Sequence, residues 1–458
     1  MNAPSRFIHA SFLLCLALSG KLSAATPFQP DDRWVAIGDS ITHGGNYPRY
    51  LELFYVTRHP GSRLTYTNAG IAGDTTSGTV SRFDWDIAPG KPTVATVMLG
   101  MNDVGRDNYA PGKPDDDAVQ KAREGRAAEF EKNMRSLVGR LRAMGTRVVL
   151  LSSTPYDDTS RMESPNLPGC NDALIELGRR TKAIAQETGT EFIDLTQPLT
   201  TLNRSLQAAD PKFTLISNDR VHPGGPGYLA MTYEILRAQG VSGEVAVVHL
   251  DGAKGGVRLA GNCAVTDLVT KPESVAFTYT ARSLPFPIPS AAAPAAKWIP
   301  FQTALNREEL RVRGLSPGSY RMEIDQQVVG ELSAADLERG VNLAELSTPQ
   351  LKQAQAVLQT LEKRWDLMNR LRTIAAVEYQ HGGKLPRPID PKAIEPAIAA
   401  WEATLPPGHW QSKQPAQYRE SKPAQAQIQS QAEELLRQAR AEAVPKARKV
   451  TLTALKAN

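Results

Sequence analysis

From Arg33 to about Gly240 the chain alternates short apolar runs with longer amphipathic ones, and few folds accept that pattern. The runs RWVAIG (33–38), TVATVMLG (93–100) and RVVLLSS (147–153) are rich in β-branched residues and stop at glycine or serine. Apolar runs of this length read as strands buried on both faces, as in a parallel sheet. LTYTNAG (64–70) and EFIDL (191–195) are weaker strands of the same kind. Between them, Phe130, Met134, Leu137, Val138 and Leu141 share one face of a helix that Gly145 stops. The stretch from Asp172 to Gly189 reads likewise, with Asp172 as its N-cap. Strand and helix in alternation predict an α/β fold, a three-layer α/β/α sandwich with ligands at the carboxyl ends of its strands.

The first 25 residues stand outside this pattern. They combine a basic start (Arg6, His9), a short apolar stretch from Phe12 to Leu18, and small residues at Ser23, Ala24 and Ala25. This layout predicts a secretory signal peptide cleaved after Ala25, hence an exported protein, periplasmic or secreted. The apolar stretch falls short of the roughly 20 residues a spanning helix needs, and no membrane span is expected later in the chain. Without Cys15, only Cys170 and Cys263 remain. Two buried free thiols are the preferred reading, and a disulfide formed in an oxidising compartment is the alternative. The formal charge of +5 comes from dispersed rather than clustered basic residues, so no nucleic-acid partner is expected. No Cys-x-x-Cys or His-Glu-x-x-His occurs, and no metal or other cofactor is expected.

The pattern divides the mature chain in three. Residues 26–240 form the α/β domain. Residues 241–340, with alternating strands such as SVAFTYTAR and tight turns such as Ser316-Pro317-Gly318, read as a small β-rich module. Within it LPFPIPSAAAPAAKWIP reads as an extended loop. Residues 341–458 read as a helical C-terminal region with a Pro-rich stretch at 385–415. Leu351, Ala354, Leu358, Leu361, Trp365 and Met368 lie there at coiled-coil spacing. Nothing beyond residue 241 forms a complete set of nucleophile, acid and base. A soluble chain ending near Gly240 is therefore expected to keep activity on a small ester, unless the long helix around Trp365 packs on the α/β domain and truncation exposes apolar surface.

Chemistry concentrates at the strand ends. The first strand ends in Gly38-Asp39-Ser40, the second in NAGIAGD with Gly70 and Gly73, and the third in GMND (100–103). Just before the last helix of the domain comes NDRVHPGG, with Asp219 three residues before His222. Each type suits acyl transfer. A serine hydroxyl needs a histidine to take its proton, and the histidine needs a carboxylate to fix its tautomer. Ser40, His222 and Asp219 supply these, and Pro223 favours an extended backbone at His222. The Ser40 N–H, the Gly73 N–H and the Asn102 amide are candidate oxyanion donors. His43 is a rival base, but it has only Asp39 near it in sequence and reads as a pocket-lining or helix-entry residue. His249 and His381 show no partners, and the run Asp115–Asp117 reads as solvated. Trp401 and Trp410 suit sugar stacking, although such aromatics more often close a core.

The ensemble over roughly residues 33–240 resembles the SGNH, or GDSL, hydrolase family. The family's first block matches Gly38, Asp39, Ser40 and Ile41, with isoleucine where leucine is usual. Its second matches Gly73, its third Gly100, Asn102 and Asp103, and its fourth Asp219 and His222. The resemblance implies a metal-free serine esterase or lipase-like acylhydrolase. No Gly-x-Ser-x-Gly elbow of the α/β-hydrolases occurs. Export and the appended β module point to small acyl groups on a carbohydrate, that is, an O-acetylesterase. The alternatives are a lipase, thioesterase or arylesterase of the same family, or an inactive carbohydrate-binding scaffold.

Overall fold

The computed structural model describes residues 24–113 and 116–456. The predicted signal peptide up to Ser23, with Cys15, and also Asp115, lie outside the described residues. The chain opens with β1 (Arg33–Gly38), α1 (Ser40–His43), α2 (Asn46–Arg58), β2 (Thr65–Gly70), α3 (Thr76–Arg82) and β3 (Val94–Met98). It continues through α4 (Asp117–Ala143), β4 (Arg147–Leu151), α5 (Cys170–Thr188), β5 (Glu191–Ile193), α6 (Thr196–Gln207) and α7 (Gly225–Ala238). The five strands form one parallel sheet in the order β2-β1-β3-β4-β5. Strand order moves outward both ways from β1 and β3. With right-handed crossovers, α2 therefore covers one face while α4 and α5 cover the other. This is the predicted three-layer sandwich, and β3 is buried at every position because both its faces are covered.

The next strands are β6 (Glu244–Asp251), β7 (Gly256–Gly261), β8 (Cys263–Lys271) and β9 (Ser274–Ala281). After α8 (Phe301–Leu305) come β10 (Arg307–Arg313), β11 (Ser319–Ile324), β12 (Gln327–Ser333), α9 (Ala334–Arg339) and β13 (Val341–Asn342). The helices α10 (Pro349–His381), α11 (Pro391–Glu402), α12 (Gln414–Ser421) and α13 (Gln425–Glu442) lead to a last strand, β14 (Arg448–Ala454). Two sheets, β13-β10-β6-β7 and β12-β11-β14-β9-β8, share an apolar core that includes Val248, Leu310, Phe277, Met322 and Leu452.

Several features depart from the sequence reading; α5, for one, is capped by Gly169, with Asp172 inside its first turn. Residues 448–454, inside the stretch read as helical, form β14 between β9 and β11. Val450 and Leu452 point into that core and Thr453 faces out, the period-two signature of a strand. The Pro- and Ala-rich stretch is no open loop. Leu284 and Phe286 are buried in the α/β core, and Ser290–Lys297 makes 3-10 turns packed on α7 through Ala292 and Ala295. The Pro-rich 385–415 stretch contains α11, which starts with Pro391 where a missing N–H costs nothing. The coiled-coil spacing of α10 serves several neighbours, since it packs on α13, α12, α2 and the edge strand β2.

The α10 contacts tie the C-terminal region to the α/β domain. Trp365 Nε1 donates to Glu52 Oε2 at 2.7 Å, and Arg364 Nε donates to Glu52 Oε1 at 3.2 Å. Val357, Leu361 and Trp365 belong to the same core as β1 and β3. Cys170 and Cys263 are buried and free, as preferred. His249, read as partnerless, pairs with Glu309 at 2.8 Å, and His381 stacks on Trp401 with ring centroids 4.1 Å apart. Trp410 remains exposed. Among the described residues, no helix is long and apolar enough to cross a membrane.

Candidate active site

The register of the sheet brings the sequence-read loops together. Gly38, the last residue of β1, lies opposite Gly70 of β2 and Met98 of β3. The loop after β2 and the loop after β3 therefore flank the loop after β1. There Asp39 caps α1, accepting the Ile41 N–H at 3.0 Å. Ser40 is the first residue of that helix, so its N–H has no acceptor within the helix. Gly70 is small for a reason of space: a Cβ there would lie 2.3 Å from the His43 nitrogen.

His222 reaches this point from the loop before α7. Its Nε2 lies 2.7 Å from Ser40 Oγ, and its Nδ1 lies 2.6 Å from Asp219 Oδ2. Asp219 Oδ1 accepts the N–H groups of Val221 and His222, both at 2.9 Å, and the Ser217 hydroxyl at 2.8 Å. Burial opposes charge on this carboxyl. The hydrogen bonds from the His222 ring, the two N–H groups and Ser217 outweigh it and hold Asp219 well below the usual carboxylate range. Asp219 is thus a fixed anion beside the imidazole.

Sequence reasoning missed Arg220, which holds the turn between these two residues. Its backbone is left-handed, with φ at 63°, a conformation uncommon outside glycine. Its buried guanidinium donates to the carbonyls of Asp157 (2.8 Å), Ser160 (3.2 Å), Met162 (3.1 Å) and Ser164 (3.0 Å). Four carbonyl acceptors make Arg220 the pin of the histidine loop. Nothing in NDRVHPGG distinguishes it from a solvated arginine, because its acceptors lie about 60 residues away.

The other candidate donors lie in the loops after β2 and β3. Gly73 has φ at 79°, and an added Cβ would meet no atom within 4 Å. Glycine is required there by backbone conformation rather than by crowding. Asn102 Nδ2 donates to Asp74 O at 2.9 Å and its Oδ1 accepts from Arg106 at 3.3 Å. One amide N–H is used, and the second makes no hydrogen bond among the described residues. Asp103 ties the same loop to α3, accepting from Thr76 N (2.9 Å), Thr76 Oγ1 (2.6 Å) and Gly100 N (3.1 Å).

His43 is no base in this arrangement. Its Nδ1 accepts the Ala72 N–H at 3.0 Å. Burial, and then the charges of Arg372, Arg82 and Arg49, push its pKa down to about 3. Asp39 is shifted the other way. Burial pushes its carboxyl up to about 7, with Asp103 and Asp74 adding to the effect against the Ile41 N–H and His222. The folded state therefore keeps a proton that the unfolded chain loses near pH 4. This carboxyl costs no stability at low pH, and its penalty grows as pH rises to about 7 and is then complete. Asp39→Asn, which keeps the capping oxygen, is expected to raise the melting temperature at pH 8 relative to wild type, with little gain at pH 4. Equal shifts at both pH values would assign the effect elsewhere.

A family model described as GDSL-like lipase/acylhydrolase matches residues 36–230. A solved structure of a gut microbial diltiazem-metabolizing enzyme is 30% identical and superposes with a TM-score of 0.86, over 94% of this chain and 99% of that one. The chain belongs to the GDSL-like lipase/acylhydrolase family. As a GDSL hydrolase it is an ester hydrolase. The acetylxylan esterase of Geobacillus stearothermophilus is 25% identical over 224 residues, 46% of this chain and 94% of that protein. The similarity to the gut microbial enzyme runs past the α/β sandwich, through the β sheets and C-terminal helices.

Proposed function

We propose that this GDSL hydrolase is an exported serine esterase that removes small acyl groups, acetyl first among them, from carbohydrate hydroxyls. The observation that carries the serine chemistry is the unbroken chain Ser40 Oγ, His222 Nε2, His222 Nδ1, Asp219 Oδ2, with links of 2.7 and 2.6 Å. Ser40 Oγ bonds to the acyl carbon while its proton passes to His222 Nε2. The carbonyl oxygen becomes an oxyanion facing the N–H groups of Ser40 and Gly73 and the free N–H of Asn102. Collapse breaks the ester C–O bond, and the departing alcohol takes the proton from His222. Water then repeats both steps on the acyl-serine, releasing the acid and restoring Ser40. Asp219 holds the ring and stabilises the imidazolium.

The carbohydrate assignment draws support from the acetylxylan esterase relative. A second reading, esters of small aryl or drug-like alcohols, draws support from the full-length similarity to the diltiazem-metabolizing enzyme. Export rests on residues 1–25. Cleavage after Ala25 would turn Thr26 N, which donates to Glu191 Oε2 at 2.9 Å, into an ammonium on a carboxylate. N-terminal sequencing of the secreted or periplasmic protein is expected to begin at Thr26.

A serine-reactive phosphonate is expected to label Ser40 and abolish turnover. Acetate release from acetylated xylo-oligosaccharides, compared with nitrophenyl acetate and longer nitrophenyl esters, separates the substrate readings. No labelling and no acetate release would return the protein to a binding role. Asn102→Ala is expected to lower kcat by roughly a hundred- to a thousandfold, the usual cost of one oxyanion donor. A kcat within twofold of wild type would remove Asn102 from the oxyanion hole.

A further inference from the structure

Gly73 carries no side chain, and nothing packs where its Cβ would be. The direction of its N–H is therefore set by the residues on either side. From within the α/β domain, His43 holds the Ala72 N–H and Asn102 holds the Asp74 carbonyl. The Asp74 N–H also donates to Ile71 O at 3.1 Å and Thr79 Oγ1 to Asp74 Oδ2 at 2.8 Å, and further restraints come from α10, about 300 residues downstream.

Arg372 of α10 donates its Nε–H to Gly70 O at 2.7 Å and places Nη1 and Nη2 on the two oxygens of Asp86, each at 2.8 Å. Asp86 also pairs with Arg82, which is fully buried. Arg82 in turn donates to Asp74 Oδ2 and to Ala69 O, both at 2.8 Å. Two turns further along α10, Tyr379 OH donates to Asp74 Oδ1 at 3.3 Å and Gln380 Nε2 to Ala72 O at 3.4 Å. Arg372 and Tyr379, seven residues apart, lie on one helix face. That face addresses Gly70, Ala72 and Asp74, the residues that bracket Gly73.

Packing alone does not account for these groups. Buried arginine–carboxylate pairs are costly to desolvate, and apolar residues of similar size often serve stability as well or better. They do fix backbone direction, and an oxyanion donor has to be held to within a fraction of an ångström. We propose that Arg372, Tyr379 and Gln380 are positioning residues that aim the Gly73 N–H at the oxyanion, making α10 a working part of the active site. The proposal rests on the oxyanion role given to Gly73 above.

The test uses the full-length enzyme and the variants Arg372→Lys, Tyr379→Phe and Gln380→Ala. Turnover of nitrophenyl acetate is normalised to the sites that a phosphonate titrates, and thermal unfolding is followed in parallel. A small misplacement can cost up to about a hundredfold, so Arg372→Lys is expected to lower kcat roughly ten- to a hundredfold with KM within about twofold. Tyr379→Phe and Gln380→Ala are expected to show smaller losses of the same kind. Inhibition by a boronic acid, which forms a tetrahedral adduct with an oxyanion-like oxygen, is expected to weaken in step with kcat. Lower melting temperatures with unchanged kcat per titrated site would overturn the proposal. If Arg372→Lys is insoluble, the Tyr379→Phe/Gln380→Ala double variant, which leaves every ion pair in place, decides on the same criterion. Wild-type enzyme that the phosphonate fails to label would instead remove the serine reading beneath it.

Discussion

Ser40→Ala is expected to fold normally and to lose ester hydrolysis by a factor on the order of a million in kcat, the scale seen when a nucleophile is deleted from a comparable triad. Alanine suits the first turn of a helix, and the cap from Asp39 to the Ile41 N–H does not involve the serine side chain. The bond that disappears is the one to His222 Nε2. His222→Ala is expected to cost about as much, and the double variant little more, because the two groups act as one unit. Steady-state turnover of a nitrophenyl ester beside a thermal melt measures both effects. Turnover of Ser40→Ala within a hundredfold of wild type, with an unchanged melt, would mean that another group attacks.

A chain ending at Gly240 is expected to yield no soluble, active enzyme, because the helix around Trp365 does pack on the α/β domain. Leu284, Phe286, Phe301 and Leu305, and then Val357, Leu361 and Trp365, are buried in the same core as the parallel sheet. Each contributes about 1.5–3 kcal/mol by leaving water, and together they equal or exceed a typical net stability of about 5–15 kcal/mol. The truncation also strands the buried Glu52 without Arg364 and Trp365. It further removes every α10 restraint on the loop after β2. Expression of the truncated chain, size-exclusion chromatography and activity on nitrophenyl acetate test this directly. A monodisperse truncation with wild-type kcat would show that the α/β domain is self-sufficient.

The sequence by itself determined the parallel sheet and the loops at its edge. Its strands β1, β3 and β4 are buried at nearly every position because both faces are covered, and runs such as TVATVM show this without any knowledge of neighbours. Ser40, Gly73 and Asn102 were legible as candidates because topology alone sends every strand end to one edge, and His222 because it sits just before the last helix of the domain. Asp219 was legible because a three-residue spacing is local. What the tertiary structure decided is what depends on distant partners. The strand β14 enters a sheet more than 100 residues earlier in the chain, although its alternation at Val450 and Leu452 was a usable signal. Arg220 and Arg372 look like surface charges in sequence and become buried anchors only because carbonyls and carboxylates arrive from other segments. An apolar period reports that a residue is buried. A charged residue reports its burial only through the partner that makes burial affordable, and for Arg220 and Arg372 those partners lie about 60 and about 300 residues away.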